Sequence, residues 1–220
     1  MPNVDLILGA DPSRRVSVRT EPTQRRSTQR LDALLDAAAD IVDETGFERL
    51  TTQMVAERAG ASIGTVYRYF PDRVAVLHAL RDRSIRRFRE RVADDMERSE
   101  LSTWWDVVEV ALDAFAALYR DEPGFTVVDA GRRETAEGHG EPEFAHRMAN
   151  LIESEFDLEV DGAELRFRLG VAIELGDALI SRAFERDPLG DERYLAEAKR
   201  LLRRYLTEHL GEPKAASSAA

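Results

Sequence analysis

The chain has 220 residues and a net charge of -11, with 43% hydrophobic and 33% charged residues, a composition typical of a soluble globular protein with one domain or two small ones. No apolar run approaches the roughly 20 residues of a membrane span, and the first apolar stretch lacks a basic leader, so we expect no membrane segment and no signal peptide. The sequence contains no cysteine, which excludes disulfides and thiolate chemistry and suits a cytoplasmic location.

The charge is distributed unevenly along the chain. Residues 1–89 carry 15 basic and 12 acidic side chains, whereas residues 90–220 carry 16 basic and 30 acidic ones, which indicates two units with different partners. Residues 1–26 contain three prolines and no periodicity, and we expect them to form a disordered arm. Arginines of this arm, with Arg25 and Arg26 at its end, are placed to bind DNA phosphates, although a tail that arginine merely keeps soluble would have the same composition.

Three helices are predicted after the arm. Apolar residues recur at three- and four-residue spacing over residues 27–46, the pattern of an amphipathic helix. Thr51 is a suitable N-cap for a short second helix that Gly60 ends, and Ser62 is a suitable N-cap for a third helix that stops before Pro71.

Beyond Pro71 the pattern stays helical. The predicted helices cover residues 72–98, a segment capped by Ser102, and residues 143–156, 163–186 and 191–210. No segment alternates convincingly as a strand, so the sequence predicts an all-α protein of about nine helices. We divide it into a helix-turn-helix domain at residues 27–72, a larger helical domain at residues 73–210 and a flexible tail at residues 211–220.

The third helix has an unusual outward face. Its inward positions are Ile63, Val66 and Phe70. Its outward and leading positions are Ser62, Gly64, Thr65, Tyr67, Arg68 and Tyr69. Buried hydroxyl and guanidinium groups would each need a partner, whereas a recognition helix in the major groove uses such groups on phosphates and base edges. The pattern therefore favours DNA binding over a helical hairpin with solvent-facing tyrosines.

The segment TTQMVAERAGASIGTVYRYFPDRVAVLHAL, at residues 51–80, resembles the DNA-binding region of the TetR family of transcriptional repressors. The shared pattern is a threonine at the start of the second helix, Ala-Gly at the turn, a Thr-x-Tyr-x-x-Phe recognition helix and a basic residue opening the fourth helix. The resemblance covers about residues 27–80. It implies a homodimer that binds a palindromic operator through N-terminal helix-turn-helix units and carries a divergent helical domain for a small-molecule effector.

The resemblance also implies roles for individual residues. Thr51 or Thr52 would bind phosphate at the start of the second helix. The family's DNA-contact positions would be occupied by Ser62, Gly64, Thr65, Tyr67, Arg68 and Tyr69. Arg73 stands where the family usually has a phosphate-binding lysine, and it keeps the positive charge. The preceding Pro71-Asp72 departs from the small polar or basic pair that is more common there.

In the C-terminal domain the resemblance gives only general expectations. The family keeps its ligand cavity among the middle helices, so the expected lining is Trp104, Phe115, Tyr119 and Phe125, although aromatic residues at helical spacing also build cores. Glu174 and Asp177 interrupt an apolar helix, either as ion-pair partners of arginines or as contacts to a cationic or hydroxylated ligand. The last two helices resemble the pair that forms a four-helix bundle between protomers, with packing inside one protomer as the alternative.

Other functions lack the residues they need. We find no His-x-x-x-His motif and no glycine-rich phosphate loop, and we therefore expect no enzyme, no metal site and no cofactor. A helical dimerisation module without DNA binding, and a DNA-binding regulator without a small-molecule effector, remain as alternatives.

Overall fold

The computed structural model describes residues 3–9, 22–127 and 143–215, and these ranges contain nine α-helices, one 3-10 turn at Phe47–Arg49 and no strand. The helices are α1 (Asp5–Leu8), α2 (Pro22–Thr45), α3 (Thr52–Arg58), α4 (Ile63–Tyr69), α5 (Arg73–Arg98), α6 (Trp104–Asp121), α7 (Glu143–Glu155), α8 (Gly162–Arg186) and α9 (Glu192–Leu210). The all-α prediction is confirmed. Within these ranges no helix has both the length and the apolar character needed to cross a membrane.

The contacts between helices divide the described residues into two units. The N-terminal unit comprises residues 22–87 and 121–127, and the C-terminal unit comprises residues 3–9, 88–120 and 143–215. Each unit has its own apolar core. Buried side chains of α2 to α5, among them Leu34, Val55 and Val66, form the first core, and buried side chains of α1 and α5 to α9, among them Trp104 and Leu165, form the second.

The arm differs from its prediction at both described ends. Residues 5–8 form α1, because Ile7 is fully buried and Val4 and Leu6 pack partly buried against the core of the C-terminal unit. This burial of apolar area offsets the entropy lost on ordering the segment. α2 begins at Pro22, five residues earlier than predicted, where a proline suits the first turn of a helix. Residues 10–21 of the predicted arm and residues 216–220 of the tail lie outside the described ranges.

The start of α6 differs from its prediction by one residue. Thr103, rather than Ser102, lies next to the first residue of α6, and Thr103 Oγ1 accepts a hydrogen bond from the Asp106 amide at 3.4 Å. The Asp106 carboxylate in turn accepts hydrogen bonds from the amides of Ser102 and Thr103 at 2.9 and 2.8 Å. This reciprocal pairing satisfies amides that the helix itself leaves unpaired.

Close packing of α8 and α9 depends on small residues. A Cβ atom at Gly176 would lie 3.1 Å from Leu202 Cδ1 and 3.2 Å from Leu112 Cδ2, so glycine allows α6, α8 and α9 to meet. Leu202 is fully buried at this contact, whereas the adjacent Leu201 is 38% exposed. The two leucines therefore lie on different faces of α9, and the inward one belongs to the core of a single protomer.

Substitutions of Leu202 and Leu201 test which of the two side chains lies in the core and which lies on the surface. Leu202→Ala is expected to lower the free energy of unfolding by about 2–5 kcal/mol, because it leaves a cavity between α8 and α9. Leu201→Ala, the matched control, is expected to have a smaller effect that shrinks on dilution if a partner covers this face. Urea unfolding at two protein concentrations measures both. Equal losses for the two variants would contradict the assignment of Leu202 to the core.

Candidate functional site

The α3–α4 pair is built by caps that the sequence indicates. Thr51 Oγ1 accepts a hydrogen bond from the Met54 amide at 3.1 Å, and Ser62 Oγ accepts one from the Thr65 amide at 3.2 Å. Between the helices Gly60 has a φ of +58°, and the amides of residues 60 and 61 bond the carbonyls of residues 57 and 56. This arrangement closes α3 and turns the chain into α4, as predicted.

The outward face of α4 exposes an aromatic and a charged side chain. Val66 is fully buried, while Tyr67 is 53% exposed and Arg68 is also exposed. A Cβ atom at Gly64 would meet only Ser62 Oγ, at 3.9 Å, so internal packing does not require glycine there. Bare backbone beside an exposed phenol and guanidinium allows close approach by another molecule.

Tyr69 is oriented differently from Tyr67. Its ring is half-buried, and its hydroxyl oxygen lies 3.2 Å from Ser27 Oγ of α2. Arg68 lies over the Tyr69 ring, with the guanidinium carbon 5.3 Å from the ring centroid. Tyr69 therefore connects α4 to α2 and supports Arg68, whereas the sequence predicted an outward-facing side chain.

Arg73 also has an internal role. Its Nη1 donates to the carbonyl of Glu48 at 2.7 Å and to that of Phe47 at 3.4 Å, which holds the 3-10 turn against the start of α5. Among the remaining predicted contacts, Thr51 and Arg26 are exposed. Thr52 and Thr65 are half-buried. The side chain of Arg25 lies outside the described part of the structure.

Two arginines that the sequence analysis did not single out fix α2 to its neighbours. Arg58 of α3 bonds both carboxylate oxygens of Glu44 at 2.9 and 2.6 Å, and this hydrogen bonding lowers the pKa of Glu44. Arg83 of α5 is 4% exposed and donates to Asp36 Oδ1 at 2.7 Å and to the Leu35 carbonyl at 3.1 Å. One sequence feature could have indicated that Arg83 is buried. It lies three residues after Leu80, which places it on the apolar face of α5.

The six predicted ligand residues lie in different local surroundings. Phe115 and Tyr119 belong to an aromatic row with centroid separations of 4.8 to 5.4 Å, which consists of Phe88, Phe115, Tyr119, Phe144 and Phe184. Trp104 is 1% exposed in the core, Asp177 is 7% exposed, and Glu174 is exposed to solvent. Phe125 lies in the segment that contacts assign to the N-terminal unit.

A cleft of about 300 Å³ opens between α5, α6, α8 and α9 in the C-terminal unit. Its apolar lining consists of Leu112, Ala116, Ala117, Ile180, Leu195 and Ala198. Its charged lining consists of Arg91, Asp95, Asp113, Arg120 and Lys199. The size is at the lower end of small-molecule sites. On α6 and α8, the residues that line the cleft are close in sequence to the predicted ligand residues of those helices.

Among the cleft's basic side chains, Arg120 has no carboxylate partner in the described ranges. Lys199 contacts Glu109 and Asp113 at 3.1 and 2.8 Å. Burial alone would raise the pKa of Asp95, but hydrogen bonds from Arg98 and Arg91 outweigh it and lower that pKa. Arg120 donates from Nε to the Leu189 carbonyl at 3.1 Å and makes no ion pair within the described ranges. The Arg120 guanidinium also lies over the Phe184 ring, with its carbon 6.0 Å from the ring centroid.

One metal-ligand spacing was missed in the sequence. Glu143 and His146 have the Glu-x-x-His spacing that helical metal sites use. Glu143 is instead bonded by Arg147 and Arg89, and the hydrogen bond from Arg147 is the main cause of its lowered pKa. No cluster of three or more potential metal ligands occurs among the described residues.

Known proteins resemble the chain over both units. Residues 34–80 match the family model described as bacterial regulatory proteins of the tetR family, and residues 102–210 match a tetracyclin repressor-like C-terminal domain. A TetR-family transcriptional regulator from Streptomyces coelicolor is 36% identical in sequence. That similarity covers 84% of this chain and 99% of the other, with a TM-score of 0.71.

Curated relatives match over shorter stretches. The HTH-type transcriptional repressor KstR of Mycolicibacterium smegmatis is 43% identical over 49 residues, which cover 22% of this chain and 24% of KstR. The HTH-type transcriptional repressor DrrR1 of Streptomyces coeruleorubidus is 31% identical over 122 residues, 56% of this chain and 42% of DrrR1. The chain thus spans less than half the length of these two relatives.

Proposed function

The chain belongs to the TetR family of bacterial transcriptional regulators, and from this we propose that it binds a palindromic operator as a homodimer, represses transcription and is released by a small molecule. The observation that carries the DNA-binding part is the outward face of α4. Gly64, Tyr67 and Arg68 are exposed together on a capped helix, and the described protein does not engage Arg68 in any ion pair. Such a regulator would act in the cytoplasm, where the DNA is.

The homodimer is supported by apolar area that one protomer leaves exposed. Phe167 and Leu175 of α8 are 48% and 45% exposed, and their spacing of eight residues, with half-buried Val171 between them, places them on one stripe. Leu201 adds exposed apolar area on α9. Exposed apolar stripes of this kind mark contact surfaces, and a second copy covering them would form a bundle of four helices.

The cleft is the best-supported site for the effector. Its apolar lining would take a hydrocarbon body, and Arg120 would take an anionic or hydrogen-bond-accepting group. We therefore propose a small amphipathic molecule, with a carboxylate as the preferred polar group. Trp105 can report its arrival, because Trp105 Nε1 donates to Glu109 at 3.1 Å and Glu109 contacts Lys199 of the cleft.

Decanoate and decan-1-ol test this effector class, since they share a chain and differ in charge. Decanoate is expected to bind the wild type about 10-fold more tightly or better, the difference that a charge-assisted hydrogen bond gives. The Arg120→Gln variant should lose this preference while binding decan-1-ol as before. Tryptophan fluorescence measures all four affinities. An undiminished preference for decanoate in the variant would remove Arg120 from the effector site.

Selection of bound fragments from genomic DNA tests the operator itself. The wild type is expected to retain a small set of fragments in the presence of excess competitor DNA, because base contacts add to the non-specific phosphate term. Uniform binding of all fragments, lost at moderate salt, would instead favour a helical dimerisation module with only non-specific affinity for DNA.

A further inference from the structure

Arg68 is an exposed cation that its neighbours on α4 do not pair. The position one helical turn earlier is Gly64, which has no side chain to hold the guanidinium. The nearest carboxylate in sequence, Asp72, accepts a hydrogen bond from the Ala75 amide at 2.8 Å at the start of α5. In the part of the chain that the structure describes, Arg68 forms no ion pair, and its guanidinium carbon lies 5.3 Å from the centroid of the Tyr69 ring.

The Tyr69 ring is restrained at both of its ends. Its base is half-buried and packs against the core of the N-terminal unit. At its tip the hydroxyl group lies 3.2 Å from Ser27 Oγ and donates to the Ser27 carbonyl at 3.4 Å. A ring held in this way keeps one orientation, and a cation attracted to its face takes its position from the ring.

A positioned guanidinium has one preferred partner among the four bases. Contact with a ring uses the face of the guanidinium and leaves the N–H groups at its edge for hydrogen bonds. In the major groove guanine presents two acceptors, O6 and N7, which match two N–H groups of arginine. Adenine presents one acceptor and one donor at the same edge, so it satisfies only one of those N–H groups.

We propose that Arg68 reads a guanine in each half-site of the operator and that Tyr69 is the positioning residue that makes this reading selective. The inference deepens the proposed function and rests on it, because it requires α4 to lie in the major groove. Tyr69 acts here through Arg68, whereas the sequence analysis placed it in direct contact with DNA. Its loss should therefore change which base is preferred at one position, in addition to any change in overall affinity.

Base substitutions in a selected genomic fragment test this inference with the full-length protein. Each base pair of one half-site is replaced in turn, and fluorescence anisotropy at constant salt measures the affinities. In the wild type, replacing G·C by A·T at one position should lower affinity about 10-fold or more. Arg68→Ala should remove the preference at that position alone, which identifies the base pair that Arg68 faces. Tyr69→Leu should reduce the same preference to less than about 3-fold and leave the preferences at other positions as they are.

Tyr69→Phe is the matched control for the ring. It loses the contact with Ser27, so overall affinity should fall, but it keeps the aromatic face and should keep the preference for guanine. If Tyr69→Leu fails to fold, Tyr69→Met takes its place, because methionine fills much of the same volume without a flat face.

The outcomes that contradict the inference differ from those that contradict the proposed function. An Arg68-dependent preference for another base would overturn the inference alone. So would a guanine preference that Tyr69→Leu leaves intact, one that Tyr69→Phe abolishes, or an equal loss of preference at every position in Tyr69→Leu. A wild type that selects no DNA fragment would overturn the proposed function, and this inference with it.

Discussion

Replacing Leu175 with arginine is expected to convert the protein into a folded monomer that has lost most of its operator affinity. The side chain is 45% exposed on the stripe of α8 that we assign to the dimer, so the protomer tolerates the change but the interface buries an unpaired charge. A dimer binds the second half-site as an intramolecular step. Losing that advantage lowers affinity by about 100- to 10,000-fold.

Light scattering and fluorescence anisotropy measure these two consequences. Leu189→Arg provides the control, because Leu189 is 69% exposed in the turn between α8 and α9 and lies outside the stripe. The control variant should remain dimeric and bind the operator as the wild type does. A Leu175→Arg variant that is still dimeric at low micromolar concentration would place the interface on another face.

Removing the Tyr67 or Arg68 side chain is expected to give the other large effect. Each direct contact to a base edge contributes about 1–3 kcal/mol, and a twofold dimer loses it at both half-sites. Tyr67→Ala or Arg68→Ala should therefore lower operator affinity about 30-fold or more. Both side chains are exposed, so helical content and melting temperature should change little.

Two control variants identify the group that acts on DNA. Tyr67→Phe keeps the ring and removes only the hydroxyl, so it separates stacking or packing from hydrogen bonding. Arg98→Ala removes an exposed arginine of the C-terminal unit and should leave affinity unchanged. Titration of labelled operator at constant salt measures all four variants. Wild-type affinity in both alanine variants would show that this face of α4 does not contact DNA.

The helix-turn-helix could be predicted because its determinants are local. Thr51 and Ser62 each cap a helix by accepting a hydrogen bond from the amide three residues later, and Gly60 supplies a left-handed conformation at the turn. Each of these depends on a few adjacent residues. The outward exposure of Tyr67 and Arg68 follows from the same helical period.

The cleft of the C-terminal unit could not be predicted in the same way because it depends on contacts between residues far apart in sequence. Phe115 and Phe125 are ten residues apart, yet the chain passes from one unit to the other between them. Periodicity also left the inward face of α9 undecided, since Leu201 and Leu202 are both apolar neighbours and only the structure shows which one is buried. Helical periodicity predicted an outward-facing Tyr69 side chain. Its hydroxyl group instead contacts Ser27 of α2, and no local sequence pattern indicates that contact.

Hydroxyl-radical footprinting of a selected genomic fragment tests the central claim most directly. An operator-binding homodimer with α4 in the major groove should protect two symmetry-related half-sites whose centres lie about 34–36 Å, or a multiple of this distance, apart. The same fragment should lose both protected regions together when Arg68→Ala replaces the wild type. Protection without twofold symmetry, or a footprint that Arg68→Ala leaves intact, would contradict the account.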